Sequence, residues 1–219
     1  MFEITRLNYA KNYNIDRYVI HNIVKKILDD KKFPLVLGGE HSITAGVIRA
    51  FAEKKKDFSV IQFDAHLDLR HTYQRTLYSH ACVMQRIYEM GVDFVQIGIR
   101  SGCKEEYEFA KKEGIAFFPP ELIRDNPEAL SDAVADLKNN VYITFDVDAF
   151  DSSLMPSTGT PEPGGLFWDE AIDIIRMIAE SKKIIGCDVV ELSPSSASVA
   201  PDFAAAKLAY KLLGYALCT

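Results

Sequence analysis

Short apolar runs alternate with longer helix-period segments from one end of this chain to the other, and that alternation leaves few folds open. The strand candidates are Pro34–Leu37, Phe58–Phe63, Asp93–Ile99, Ile115–Phe118, Val141–Phe145 and Lys183–Val190. They are mostly continuous in apolar side chains, as strands covered on both faces of a parallel sheet are. Between them, Ile15–Leu28, Ser42–Lys54, Ser79–Met90, Lys104–Lys112, Asn126–Leu137, Trp168–Glu180 and Pro201–Leu217 carry helical spacing. Strand–helix alternation at this interval predicts βαβ units with right-handed crossovers. The expected fold class is therefore α/β, a three-layer α/β/α arrangement around a mostly parallel sheet. With 219 residues, 48% of them hydrophobic, the chain can bury one sizeable core, and one domain over residues 1–219 is expected.

A formal charge of −6 and the lack of any basic stripe argue against a nucleic-acid partner. The run Lys54-Lys55-Lys56 reads as a solvated helix end. No stretch is apolar enough to span a bilayer, and the opening MFEITRLNYA has no signal-peptide pattern, so no membrane partner and a cytoplasmic location are expected. Cys82, Cys103, Cys187 and Cys218 are scattered without a CxxC pair, and read as reduced thiols.

In parallel sheets of this kind, ligands sit beyond the carboxyl ends of the strands. Three runs place polar clusters at that end: VLGGEHS, IQFDAHLD and ITFDVDAFD. Together they supply His41, Asp64, His66, Asp68, Asp146 and Asp148, two imidazoles and four carboxylates. One divalent ion rarely needs so many ligands, whereas a pair sharing bridging carboxylates does. Oxygen and imidazole without thiolate favour hard-to-borderline cations, Mn²⁺ first. Such a pair polarises the water between the ions and yields hydroxide at neutral pH, which points to hydrolysis. In DAHLD, extended alternation would turn Asp64, His66 and Asp68 to one side. FDVD repeats the device, with Phe145 and Val147 turned to the core. Each run has an ordinary alternative: acids in a polar loop, acids capping the next segment, or a Gly38-Gly39 turn with Ser42 as a helix cap. Their coincidence at one end of one sheet favours a metal centre. The irregular stretch Asp151–Leu166 (DSSLMPSTGTPEPGGL) follows the third cluster, and a loop this long is expected to wall the site.

GGEHS, DAHLD and FDVDAFD resemble the metal-binding signatures of the ureohydrolase family, which includes arginase, agmatinase and formimidoylglutamase. DAHLDLR, YSHACVMQRI, GIRSG, GTPEPGGL and GCDVVELSP look most like agmatinases of archaeal type, and the resemblance runs from about Phe33 to the C-terminus. It implies an arginase/deacetylase-like sheet and two Mn²⁺ per subunit. One ion would be held by His41, Asp64, Asp68 and Asp146, the other by Asp64, His66, Asp146 and Asp148. Asp64 and Asp146 would bridge, and Asp68 would also orient the hydroxide. Glu191, in VVELSP, would grip a guanidinium by paired charge-assisted hydrogen bonds. His80, in YSHACVM, would bind at the rim and move protons near neutral pH. Thr160, in TGTPEPGG, would lie beside the guanidinium. Taken without the resemblance, these three read as a capping or surface acid, a helix cap and a loop-stabilising hydroxyl. Glu40 and Asp188 are expected to orient neighbouring ligands. His21, His71, Trp168 and the tyrosines read as packing, capping or solvated residues.

The implied activity releases urea and an amine from a small cationic guanidino compound. Agmatine, giving putrescine for polyamine biosynthesis, matches the motif text best. Arginine, guanidinobutyrate and aminopropylagmatine are the alternatives, and homo-oligomers, trimers or hexamers, are the implied assembly. Three departures bear on substrate choice and completeness. Gly38 is reached after only one helix, where full-length relatives have a longer N-terminal region. Ser152-Ser153 stands where a proline is common, and SPSSASVAP lacks a Tyr-Asp pair frequent in agmatinases. A shortened, catalytically weak metal-binding subunit is thus a competing expectation. A binuclear phosphoesterase fits poorly, since an Asn-His-Asp run and a phosphate-cradling Gly-rich loop are absent.

Overall fold

The computed structural model describes residues 13–54 and 57–218. The opening decapeptide and Lys55-Lys56 lie outside the described residues. Six strands, β1 (Leu35–Leu37), β2 (Ser59–Phe63), β3 (Phe94–Ile97), β4 (Ala116–Phe118), β5 (Asn140–Asp146) and β6 (Lys183–Val190), form one sheet in the order β1-β6-β5-β2-β3-β4. Every pairing is parallel. The helices are α1 (Tyr13–Asp29), α2 (Ile43–Lys54), α3 (Val83–Glu89), α4 (Lys104–Glu113), α5 (Pro120–Asp125), α6 (Pro127–Asp136), α7 (Trp168–Ser181) and α8 (Ala200–Leu217).

The helices divide between the two faces of the sheet. Val24, Ile48, Phe51, Met84, Ile87 and Ala110, from α1 to α4, pack with Val60 and Tyr142 in one apolar layer. Ile123, Leu130, Val134, Ile175, Ile178, Leu208 and Leu212, from α5 to α8, pack with Ile61, Phe63, Ile143 and Phe145 in the other. Neighbouring strand residues thus send side chains to opposite layers, which is why these strands read as continuous apolar runs. Each fully buried side chain of this kind contributes about 1.5–3 kcal/mol.

The chain runs outward from β2 through β3 to β4, then returns to place β5 on the other side of β2. The β2–β5 junction is therefore a switch point, where a crevice opens beyond the strand ends. Register does the rest. Phe63 pairs with Phe145, so Asp64 and Asp146 emerge side by side; Asp146 pairs with Val190, so Glu191 emerges next to them. Leu37 pairs with Val189, which brings the Gly38–Ser42 turn to the same rim.

Four local features differ from the sequence expectation. Ser79–Met90 is not one helix: His80–Cys82 forms a 3-10 turn before α3. β3 stops at Ile97 because Gly98 takes φ 95°, and a Cβ there would lie 2.9 Å from the Asp64 carbonyl oxygen. The short helix α5, unread in the sequence, starts on Pro119-Pro120; proline at the first helical position is pre-set for a helix rather than a breaker. Alternation also fails beyond two strand ends. Asp68 sits at φ 53°, and residues Val147–Ala149 form a 3-10 turn, so neither cluster continues as extended strand.

Candidate metal centre and active-site pocket

Despite that failure of alternation, the six side chains named from the sequence converge. His41, Asp64, Asp68, Asp146 and Asp148 are all buried, and His66 is partly so. Gly38 and Gly39, at φ 77° and 91°, make the turn that carries His41 inward. His41 Nδ1 lies 3.0 Å from an Asp64 oxygen, 3.3 Å from Asp68 and 3.4 Å from Asp146. His66 Nδ1 lies 3.1 Å from Asp148 and 3.4 Å from Asp64. Among these six side chains two groups with metal-ligand spacing result, His41–Asp64–Asp146 and Asp64–His66–Asp148, and they share Asp64; a third group, Glu40–His80–Glu191, has the same spacing.

The tautomer of the neutral His41 ring follows from its other nitrogen. Thr144 Oγ1 gives its only hydrogen to Asp188 at 2.7 Å, so toward His41 Nε2, 2.9 Å away, it can act only as acceptor. Nε2 therefore carries a hydrogen. Neutral His41 then turns a bare Nδ1 toward three carboxylates, and no aligned hydrogen bond reaches that atom. Something positive must stand there, a proton or a metal cation. Burial opposes a proton there, but Asp146, Asp64 and Asp68 together hold the His41 pKa well above the usual histidine value, so without metal the carboxylates favour the imidazolium. His66 behaves alike; against burial, Asp148 and Asp64 push it up to about 12. Burial, then Asp148 and Asp64, drives Asp146 upward, and burial with Asp64 does so for Asp68. Crowded buried carboxylates that resist ionisation together are what a divalent cation relieves.

A cavity of about 210 Å³ opens above these groups, lined by His66, Asp68, Asp146 and Asp148 below and by His80, Gly159, Thr160 and Glu191 around it. Glu191, at φ 63°, accepts a hydrogen bond from His41 N at 2.7 Å, and burial raises its pKa. His80 is held by Glu40, whose Oε1 accepts from His80 N at 2.6 Å and meets His80 Nδ1 at 2.8 Å. That hydrogen bond raises the His80 pKa, and despite its burial Glu40 is lowered by the same contact. Ser42 donates through both its backbone N–H and its hydroxyl to the other Glu40 oxygen, so it ties down that carboxylate. Thr160 Oγ1 donates to Asp148 Oδ2 at 3.1 Å, and the loop expected to wall the site does so through Gly159 and Thr160. His21 and His71 stay away from the cavity: His21 pairs with Glu53 at 3.0 Å, and His71 projects into solvent.

The sequence reading named Asp188 as an orienting group but missed the rest of the buried polar framework beneath these groups, Thr44, Gln62, Gln96, Tyr142 and Thr144. Asp188 accepts hydroxyl hydrogen bonds from Thr144, Thr44 and Tyr142, at 2.7, 2.9 and 2.9 Å. On the other flank Gln96 donates to Gln62 at 2.5 Å, and Gln62 donates to Asp64 at 2.7 Å. Gln62, Gln96, Thr144 and Asp188 are each a buried polar residue inside a largely apolar strand that is buried over all or nearly all of its length. That contrast was the available signal, since a buried polar side chain requires a partner.

Residues 5–214 match the sequence profile of the Arginase family. The chain is 42% identical to N(1)-aminopropylagmatine ureohydrolase of Synechocystis sp. over 194 residues, covering 88% of this chain and 63% of the relative. It is also 42% identical to the agmatinase of Pyrococcus horikoshii over 188 residues, covering 85% and 64%. It thus spans just under two thirds of the length of these curated relatives. The crystal structure of agmatine ureohydrolase of Thermoplasma volcanium superposes with a TM-score of 0.86 at 31% identity, over 96% of this chain and 71% of that one.

Proposed function

We propose, from the premise that this chain belongs to the arginase family, that it hydrolyses a small cationic guanidino compound with the help of two divalent cations. Agmatine is the leading substrate, with urea and putrescine as products. The observation that carries this reading is His41 Nδ1, buried without an aligned hydrogen bond and facing carboxylate oxygens of Asp64, Asp68 and Asp146 at 3.0, 3.3 and 3.4 Å. The donor set fits a hard-to-borderline metal pair, Mn²⁺ first: His41, Asp64, Asp68 and Asp146 would hold one ion, and Asp64, His66, Asp146 and Asp148 the other. When bound, the pair supplies Lewis-acid activation of water.

The remaining chemistry falls to the chain's own side chains. A guanidinium carbon is a poor electrophile because its cation is resonance-stabilised, so it must be held in one orientation. Glu191, with one oxygen fixed on His41 N, would receive guanidinium N–H groups on the carboxylate that lines the cavity. Asp68 lines the same floor and would orient the attacking water, and Thr160 would bound the guanidinium laterally. Glu40 occupies His80 Nδ1, leaving Nε2 to hand a proton to the departing amine nitrogen. Water adds to the guanidino carbon, the C–N bond to the alkyl amine breaks, and that amine leaves protonated.

Urea release from agmatine, arginine and aminopropylagmatine by Mn²⁺-loaded protein tests this directly. Urea from agmatine at the highest kcat/KM is expected; urea from none of them contradicts the reading. Aminopropylagmatine is the second substrate to consider, because relatives in Synechocystis and Thermococcus kodakarensis bear that name. A shortened, weakly active subunit would instead bind two ions and release no urea. Trimers or hexamers are the expected assembly, and light scattering of the purified chain measures it.

Two outcomes follow for metal uptake. The facing carboxylates raise the pKa of both His41 and His66 in the metal-free chain. Metal then competes with protons for these imidazoles, so affinity should strengthen as pH rises and weaken as it falls, by about tenfold per pH unit for each proton displaced. Mn²⁺ titrations at several pH values in weak buffer read both quantities, and a pH-independent affinity would rule out the proton–metal exchange. Thr144→Val keeps the shape but removes the acceptor of His41 Nε2–H. It should weaken Mn²⁺ affinity by about 10–100-fold, as loss of a hydrogen bond behind a ligating histidine does. Equilibrium dialysis measures this, and unchanged affinity would show that His41 needs no such anchor.

A further inference from the structure

Arg100 lies three residues beyond β3, and every hydrogen bond it makes among the described residues goes to a backbone carbonyl. Its Nε donates to Pro163 O at 3.0 Å. One terminal nitrogen donates to Gly98 O at 2.9 Å, and the other to Asp148 O and Glu162 O, each at 2.8 Å, with Phe150 O at 3.2 Å. Those five carbonyls belong to three segments: the turn ending β3, the turn after β5 that carries Asp148, and the loop that carries Thr160. Guanidinium groups ordinarily seek carboxylates, and here the planar fork is spent on neutral oxygens spread over three directions.

The loop is secured at both ends without Arg100. Asp151 accepts from Gly164 N and Gly165 N at 2.7 and 3.1 Å, and Ser193 N donates to Ser157 O at 2.9 Å. Between those anchors, the carbonyls of Glu162 and Pro163 are held by Arg100. This middle stretch carries Thr160, which touches Asp148, and Glu162, whose carboxylate stands 3.8 Å from His66 Nε2. One side chain thus spans the loop wall of the cavity and the turn that supplies Asp148.

We propose that Arg100 is a positioning residue: it fixes the Thr160 loop against the Asp148 turn and so sets the width of the cavity in which the guanidino group is held. This rests on the guanidino-hydrolase reading given above. Lysine keeps the charge but offers a compact ammonium that cannot reach five carbonyls, so Arg100→Lys isolates the fork from the charge.

The test compares wild-type and Arg100→Lys protein, both Mn²⁺-loaded, in urea release from agmatine and in amide hydrogen exchange across residues 158–165. Faster exchange in that loop is expected, with kcat/KM lowered by about 10–100-fold, the loss carried mainly by KM. The ratio of bound metal to protein should match wild type. In the double variant, Thr160→Val should cost less than it does alone, since the loop no longer holds Thr160 in place. A KM within about twofold of wild type, or unchanged loop exchange, overturns the role assigned to Arg100. Wild-type protein that releases no urea strikes the functional reading instead; the exchange measurement then decides Arg100 alone. Should Arg100→Lys not fold, Arg100→Gln is measured the same way with the same expected pattern.

Discussion

Asp146→Ala is expected to abolish metal occupancy and activity together, with turnover reduced by at least about a thousandfold. Asp146 is the last residue of β5, beside Asp64 on β2's continuation, and its outer oxygen lies 3.4 Å from His41 Nδ1. In the proposed centre it belongs to both ions, so one substitution removes a ligand from each. The metal-free protein should respond little, because two effects offset each other. There, burial with Asp148 and Asp64 disfavours the Asp146 anion, so deleting it relieves repulsion. Its loss leaves one hydrogen bond, from Asp148 N at 2.9 Å, unmade. The variant should therefore lose the stabilisation that Mn²⁺ gives the wild type, while the apo proteins unfold at similar denaturant concentrations. Metal analysis and urea release on the same preparation measure the first effect. A variant that still binds two ions would show that Asp146 is not shared between them.

Glu191→Ala is the second large effect, and its signature is different: both ions retained, catalysis lost. Truncating one partner of a buried, charge-assisted pair costs about 2–5 kcal/mol, equivalent to roughly 30- to 4,000-fold in kcat/KM. The loss should fall on turnover as well as binding, because a guanidinium free to rotate presents its carbon at the wrong angle. Glu191→Gln sharpens the outcome. It keeps an oxygen for His41 N, now at 2.7 Å from the carboxylate, and removes only the charge. Activity near wild type in Glu191→Ala would dismiss the guanidinium assignment, whereas loss of metal would recast Glu191 as a support for His41.

The layered α/β fold was legible because its strands are buried on both faces and so read as unbroken apolar runs. Among the described residues, the six strands and seven of the eight helices lie where the pattern placed them, with α3 shortened by the 3-10 turn before it. The metal-spaced clusters were legible for a related reason. Acids and histidines at the carboxyl end of an apolar strand have no hydrophobic excuse for being there. What could not be read is what depends on neighbours in space. Strand alternation would turn Asp64, His66 and Asp68 to one side, and likewise Asp146 with Asp148. The convergence comes instead from a left-handed Asp68 and a 3-10 turn at Val147–Ala149, and Asp146 and Asp148 fall in different metal-spaced groups. Gln62 and Gln96 meet across β2 and β3, and Thr144 and Asp188 across β5 and β6, pairings fixed only by register. Arg100 in GIRSG had no role in the sequence reading, because its five carbonyl partners include segments up to 63 residues away. Short α5 lacks the length to show a helical period.

The central claim is that six side chains hold two neighbouring cations over a shared carboxylate. Anomalous diffraction from Mn²⁺-loaded crystals of this chain tests it most directly. Two peaks are expected, one beside His41 Nδ1 and one beside His66 Nδ1, with Asp64 reaching both. A single peak, or peaks outside the Asp64–Asp146 crevice, would contradict the account.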